Sequence, residues 1–85
     1  MYSIKYSPSA RKALKAMPRN LAERIIDKIW VLAANPFAIN NNVKRLTGHP
    51  GYRLRVGDWR VVYTVHEQEL LIAVVRIEPR GGVYQ

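Results

Sequence analysis

The sequence contains no cysteine, a single phenylalanine, two histidines and six acidic residues in 85 positions. Without cysteine there is no disulfide framework, no thiolate metal site and no cysteine nucleophile. No basic segment followed by an apolar one opens the chain, and its apolar runs are far shorter than the roughly 20 residues a membrane helix requires. The expectation is a soluble, cytoplasmic protein without a membrane partner. His49 and His66 stand apart from each other and from the basic cluster described below. Neither a metal-ligand spacing, nor a nucleophile–His–Asp set, nor a glycine loop suited to a phosphate is visible. Internal repeats and low-complexity segments are absent too.

What the chain has in excess is positive charge. Fourteen Lys and Arg against six Asp and Glu give a formal charge of +8, with a pI near 10.3. A small domain of this kind is built either to stay soluble or to meet a polyanion such as RNA, DNA or an acidic protein. With 48% hydrophobic residues the chain reads as globular. Its length suits one domain, residues 1–85, with a thin core, since a chain this short buries only about 60% of its unfolded surface.

Hydrophobic periodicity divides the chain into elements. Residues 2–6, YSIKY, alternate and predict a first strand. Ser7 is a candidate N-cap with Pro8 at the first helical position, and Ala10, Leu14 and Met17 then fall on one helical face. Pro18 ends that helix. Asn20 with Glu23 three residues on predicts a second capped start, followed by an apolar face of Leu21, Ile25, Ile29 and Leu32, widened by Ile26 and Ala33. This helix stops before Asn35-Pro36. Residues 35–51 read as a loop. Strand-like runs follow at 52–56, 59–65 and 70–77, and Val83-Tyr84 in the turn-rich tail is placed to return onto the sheet. The order β-α-α-β-β-β predicts an α+β domain, two N-terminal helices packed on one face of a small, mostly antiparallel sheet.

Gly57-Asp58 between the first two of these runs is a two-residue hairpin signal. A turn there sets Val56 opposite Trp59 and Arg55 opposite Arg60. Alternation then gives Tyr52, Leu54, Val56, Trp59, Val61 and Tyr63 to the core face. Arg53, Arg55, Arg60, Val62 and Thr64 take the other face. Like charges directly opposite across a strand pair are destabilising. Either a nearby carboxylate, Asp58 or Glu78, offsets the repulsion, or the guanidiniums converge to hold an anion such as a phosphate. The second reading is favoured. Arg80 and Tyr84, separated by Gly81-Gly82, lie where the last strand returns toward the base of the hairpin. There a tyrosine can stack on a base or offer a phenol for proton transfer.

The stretches LTGHPGYRLRVGDWRVVYTV and RIEPRGGVY resemble the core and closing motifs of the RelE family, within the RelE/ParE superfamily of toxins. The shared element order extends the resemblance over nearly the whole chain. It implies a RelE-like fold and a toxin of a type II toxin–antitoxin pair, held in check by a small cognate antitoxin. The implied activity is ribosome-dependent cleavage of mRNA in the A site, by attack of a ribose 2′-OH on its own phosphodiester, without metal or other cofactor. Arg60 and Arg80 match the residues that would hold the scissile phosphate. Arg53 and Arg55 match positions that would stabilise the pentacovalent state, and Tyr84 would stack on a base or assist proton transfer. Lys44 and Arg45 are either backbone contacts to mRNA or rRNA, or solvated loop charges. Relatives carry lysine where this chain has Arg53 and Arg55, and histidine where it has Pro79. An arginine holds its proton to a pH above about 12, so electrostatic stabilisation rather than base catalysis suits both positions. A gyrase inhibitor of the ParE type on the same fold, and a passive basic RNA-binding module, are the rival readings.

Overall fold

Ser7 and Pro8 open the first helix as the sequence implies. The computed structural model describes residues 1–79, and the expected return of Val83-Tyr84 onto the sheet lies outside the described residues. After a first strand, β1 (Ser3–Tyr6), the Ser7 hydroxyl accepts the Ala10 N–H at 3.0 Å and starts α1 (Pro8–Ala16). Pro8 sits in the first turn, where a missing N–H costs nothing. Pro18 breaks the chain between α1 and α2 (Arg19–Ala34).

The second start differs from expectation. Asn20 and Glu23 form no capping box, because Pro18 is the N-cap and its carbonyl takes the N–H groups of Leu21 and Ala22 at 3.1 and 3.0 Å. Its backbone does this without a side-chain cap. Along α2, Ile25, Ile29, Leu32 and Ala33 are buried at helical spacing, and Ala10 and Met17 join them from the first helical segment. Each fully buried isoleucine contributes about 1.5–3 kcal/mol relative to exposure.

The remaining strands are β2 (Val43–Arg45), β3 (Tyr52–Val56), β4 (Trp59–His66) and β5 (Leu71–Pro79). They form one five-stranded sheet in the order β1-β5-β4-β3-β2. Only the β1–β5 pair is parallel. The expected α+β architecture is therefore observed, with one strand more than expected. β2 lies within the segment read as a loop. Three residues are too few to show alternation, and β2 exists because its backbone pairs with the edge of β3.

The hairpin forms in the expected register, Val56 opposite Trp59 and Arg55 opposite Arg60. Gly57 has φ +58° while Asp58 does not enter the positive region, the sign pattern of a type II′ turn, which wants glycine first. Leu54, Val56, Val61 and Tyr63 are buried on the helix side with Ile72, Val74 and Ile77 of β5. The β5 spacing is irregular because of a bulge. Val62 pairs with Arg76 but Tyr63 with Val74, leaving Val75 as the extra residue. Ser7 closes this defect: its hydroxyl donates to the Val75 carbonyl at 2.6 Å, and its N–H donates to the Val74 carbonyl at 2.9 Å.

Gly51 is constrained by close approach rather than by its dihedral. A Cβ there would lie 2.8 Å from the Tyr63 carbonyl oxygen and 3.0 Å from His49 Nδ1. His49 Nδ1 accepts the Gly51 N–H at 3.0 Å, and His66 Nε2 lies 2.9 Å from Thr64 Oγ1. Both histidines thus serve local structure.

Two outcomes test this packing. Ser7→Ala removes a helix cap and a bond to the bulge, and urea denaturation should show a loss of about 1–2 kcal/mol. The Tyr63 hydroxyl is buried without a hydrogen-bond partner among the described residues. Burial, with the adjacent Tyr52 adding to it, pushes this phenol from 10.0 up to about 12. The folded state holds that proton more tightly than the unfolded chain, so stability is full below pH 10 and falls as pH rises toward 12. Tyr63→Phe should leave stability at pH 7 unchanged or raised, since no bond is lost. It should also flatten the alkaline decline in the urea midpoint, leaving the part due to Tyr6, likewise raised by burial.

Candidate functional site

The face of the sheet away from the helices collects side chains by register. One row across the strands runs Lys44, Arg53, Val62, Arg76, and the next runs Arg55, Arg60, Glu78. Neighbouring strands are about 4.8 Å apart, so Lys44 and Arg53 are near neighbours, as are Arg55 and Arg60, while Arg76 stands one strand further on beyond Val62. Arg55 turns its N–H toward β2, bonding the Asn42 carbonyl at 2.9 Å. Its pairing with Arg60 is therefore of the non-hydrogen-bonded kind, the closer of the two, with Cα atoms about 4.5 Å apart.

Among the described residues no carboxylate forms an ion pair with these guanidiniums. Glu78 stands across from Arg60, yet among the described residues no carboxylate oxygen comes within 4.0 Å of a lysine or arginine nitrogen. Arg53 and Arg60 are half-buried and Arg55 is exposed. The guanidiniums surround an open cleft of about 480 Å³, lined by Asn41, Asn42, Lys44, Arg53, Arg55, Trp59 and Arg60. Trp59, at the start of β4, also packs against the core. A concave site with four cations and, among the described residues, no carboxylate paired to them suits a polyanion, and arginine forks suit phosphate oxygens in particular.

Of the residues singled out in the sequence, the structure brings Arg53, Arg55, Arg60 and Lys44 together. It separates Arg45, which pairs with Tyr52 and so shares the helix side of the sheet. Arg80 and Tyr84 lie outside the described residues. Three residues of this face escape a reading by motif. Arg76 looks like an interruption of an apolar strand until the bulge is known. Asn41 and Asn42 look like ordinary loop residues until β2 is seen to hold them against β3.

Comparison with known proteins now bears on this face. A family model described as the ParE toxin of the type II toxin–antitoxin system parDE matches residues 4–84. The chain belongs to this toxin family. The RelE1 protein of Methanocaldococcus jannaschii is 29% identical over 86 residues, covering 99% of this chain and 96% of that protein. A chain of the archaeal RelE–RelB complex from Pyrococcus horikoshii superposes with a TM-score of 0.82 at 29% identity, covering 95% of the toxin and 97% of that chain. The isolated RelE toxin of E. coli shares the fold, with a TM-score of 0.79 at 22% identity, covering 99% of the toxin and 92% of that chain. The RelE-type fold expected from the motifs is thus the one observed.

The facing arginines carry a measurable cost. Arg55→Thr keeps a strand-favouring residue and removes one of two facing charges, so the toxin should gain a fraction of about 1 kcal/mol at low salt. The gain should shrink in 1 M NaCl, where the Debye length is about 3 Å. Urea denaturation at the two salt concentrations checks both.

Proposed function

We propose that the toxin is a ribosome-dependent endoribonuclease that cuts mRNA in the A site and so halts translation in the cytoplasm, with a small cognate antitoxin as its inhibitor. The observation that carries this reading is the pairing of Arg55 with Arg60 on the face away from the helices, where among the described residues no carboxylate forms an ion pair with either. A fold that keeps such a repulsion is arranged for an external anion. The antitoxin partner is supported by the RelE–RelB complexes among its structural relatives.

In the proposed reaction the ribose 2′-oxygen attacks the adjacent phosphorus and loses its proton. The P–O5′ bond breaks, the 5′-oxygen takes up a proton, and a 2′,3′-cyclic phosphate remains. Negative charge accumulates on the non-bridging oxygens in the transition state. Arg60 and Arg80 would hold those oxygens, and Arg53 and Arg55 would strengthen their interaction as charge develops. Arginine does not release its proton near neutral pH. Proton transfer or base stacking therefore falls to Tyr84, and no arginine is asked to serve as base. Lys44 extends the cationic surface along the substrate backbone.

Primer-extension mapping of mRNA in a translation reaction tests the reading. The toxin should produce cuts that depend on the ribosome, and Arg60→Ala should slow them by about 10²-fold or more while remaining folded. Arg60→Lys should fall between, keeping charge but losing the fork. Full cleavage by the alanine variant would remove Arg60 from the site. The match to a ParE toxin family favours a second reading, a ParE-type toxin that inhibits gyrase without RNA cleavage. Loss of supercoiling activity with intact mRNA would establish it instead.

A further inference from the structure

The cleft is chemically uneven. Its cations are Lys44, Arg53, Arg55 and Arg60, whereas Asn41 and Asn42 bring two amides. Phosphate needs only the cations. A side-chain amide offers one acceptor and two donors, the complement of a base edge.

The three consecutive asparagines divide their work. Asn40 holds the turn: its Oδ1 accepts the Asn42 N–H at 2.9 Å and its carbonyl accepts the Val43 N–H at 3.1 Å. The Asn42 carbonyl in turn accepts the Arg55 N–H at 2.9 Å. The turn is thereby joined through the main chain to the strand bearing Arg53 and Arg55. Asn41 and Asn42 are exposed and line the cleft, and among the described residues their side-chain amides form no hydrogen bond. These are two unspent amides at a fixed offset from a phosphate-binding surface, the rigidity that discrimination requires.

We propose that Asn41 and Asn42 read a base beside the scissile phosphate and set which mRNA sequences the toxin cuts. This rests on the nuclease reading of the same cleft and assigns its sequence preference to a wall distinct from the arginines. The bound species is one unpaired ribonucleotide with its base turned toward the α2–β2 turn and its phosphate on the cations.

The test uses purified ribosomes carrying a mixture of mRNAs that differ in the A-site codon, with cut frequency measured for each codon. Asn41→Ala and Asn42→Ala should flatten the preference, lowering the ratio between best-cut and poorly cut codons by about fivefold or more. The best-cut codon should lose more than the others. Asn41→Asp and Asn42→Asp keep the shape but exchange donors for an acceptor, and they should reorder the codons rather than flatten them. A preference profile unchanged in all four variants overturns the proposal. So does a loss shared equally by every codon, which would make the amides backbone contacts. Absence of cuts by the unaltered toxin would instead refute the nuclease reading, and this inference with it. Circular dichroism melting of each variant separates loss of fold from loss of discrimination.

Discussion

The structure depends on the register of one hairpin. A two-residue turn at Gly57-Asp58 aligns Val56 with Trp59, and the pleat does the rest. With a side-chain period of two, that single alignment sends Leu54, Val56, Val61 and Tyr63 toward the helices. It sends Arg53, Arg55 and Arg60 away from them. A slip of one residue would exchange the sets, burying guanidiniums and exposing the core. The hydrophobic face and the cationic face therefore enforce each other: the drive to bury valine and tyrosine holds the arginines in mutual opposition.

That opposition is tolerable because the core on the other side is well connected. α2 supplies Ile25, Ile29, Leu32 and Ala33, and β5 supplies Ile72, Val74 and Ile77. Ser7 joins the first helix to the irregular part of β5 through both its main chain and its hydroxyl. The local cost of the facing arginines, a fraction of about 1 kcal/mol, is small beside even one buried isoleucine at about 1.5–3 kcal/mol. A small domain can thus carry a repulsive surface without losing its fold, provided the repulsion stays on the solvated side.

Much of this was legible in the residues. The Ser7-Pro8 start, the apolar face of α2 and the alternation around Gly57-Asp58 are local signals, and each describes the molecule correctly. What was hidden depends on partners distant in sequence. Val43–Arg45 becomes a strand only because β3 offers an edge, and that pairing puts Lys44 in the cleft and Arg45 on the opposite side. Asn20 and Glu23 have the composition of a capping box, but the carbonyl of Pro18 already occupies the amides that start the helix. Asn41 and Asn42 carried no signal apart from polarity. Arg80 and Tyr84 were singled out by motif and chain position together, and they remain assignments of that kind.

The bulge at Val75 has an effect beyond its own few residues. Were β5 to run on without the bulge, Val75 would pair with Val62 and Arg76 would fall opposite Val61, pointing among the helices. With it, Arg76 falls opposite Val62, in the row of Lys44 and Arg53, while Ile77 takes the buried position. The cationic row therefore depends on where β5 bulges as much as on the identity of its residues. Deleting Val75 would let β5 run as a regular strand with Arg76 still opposite Val62 and Ile77 still opposite Val61, so it is the bulge that absorbs the extra residue. The bulge, closed by Ser7, lets the strand carry an odd residue without exchanging its faces.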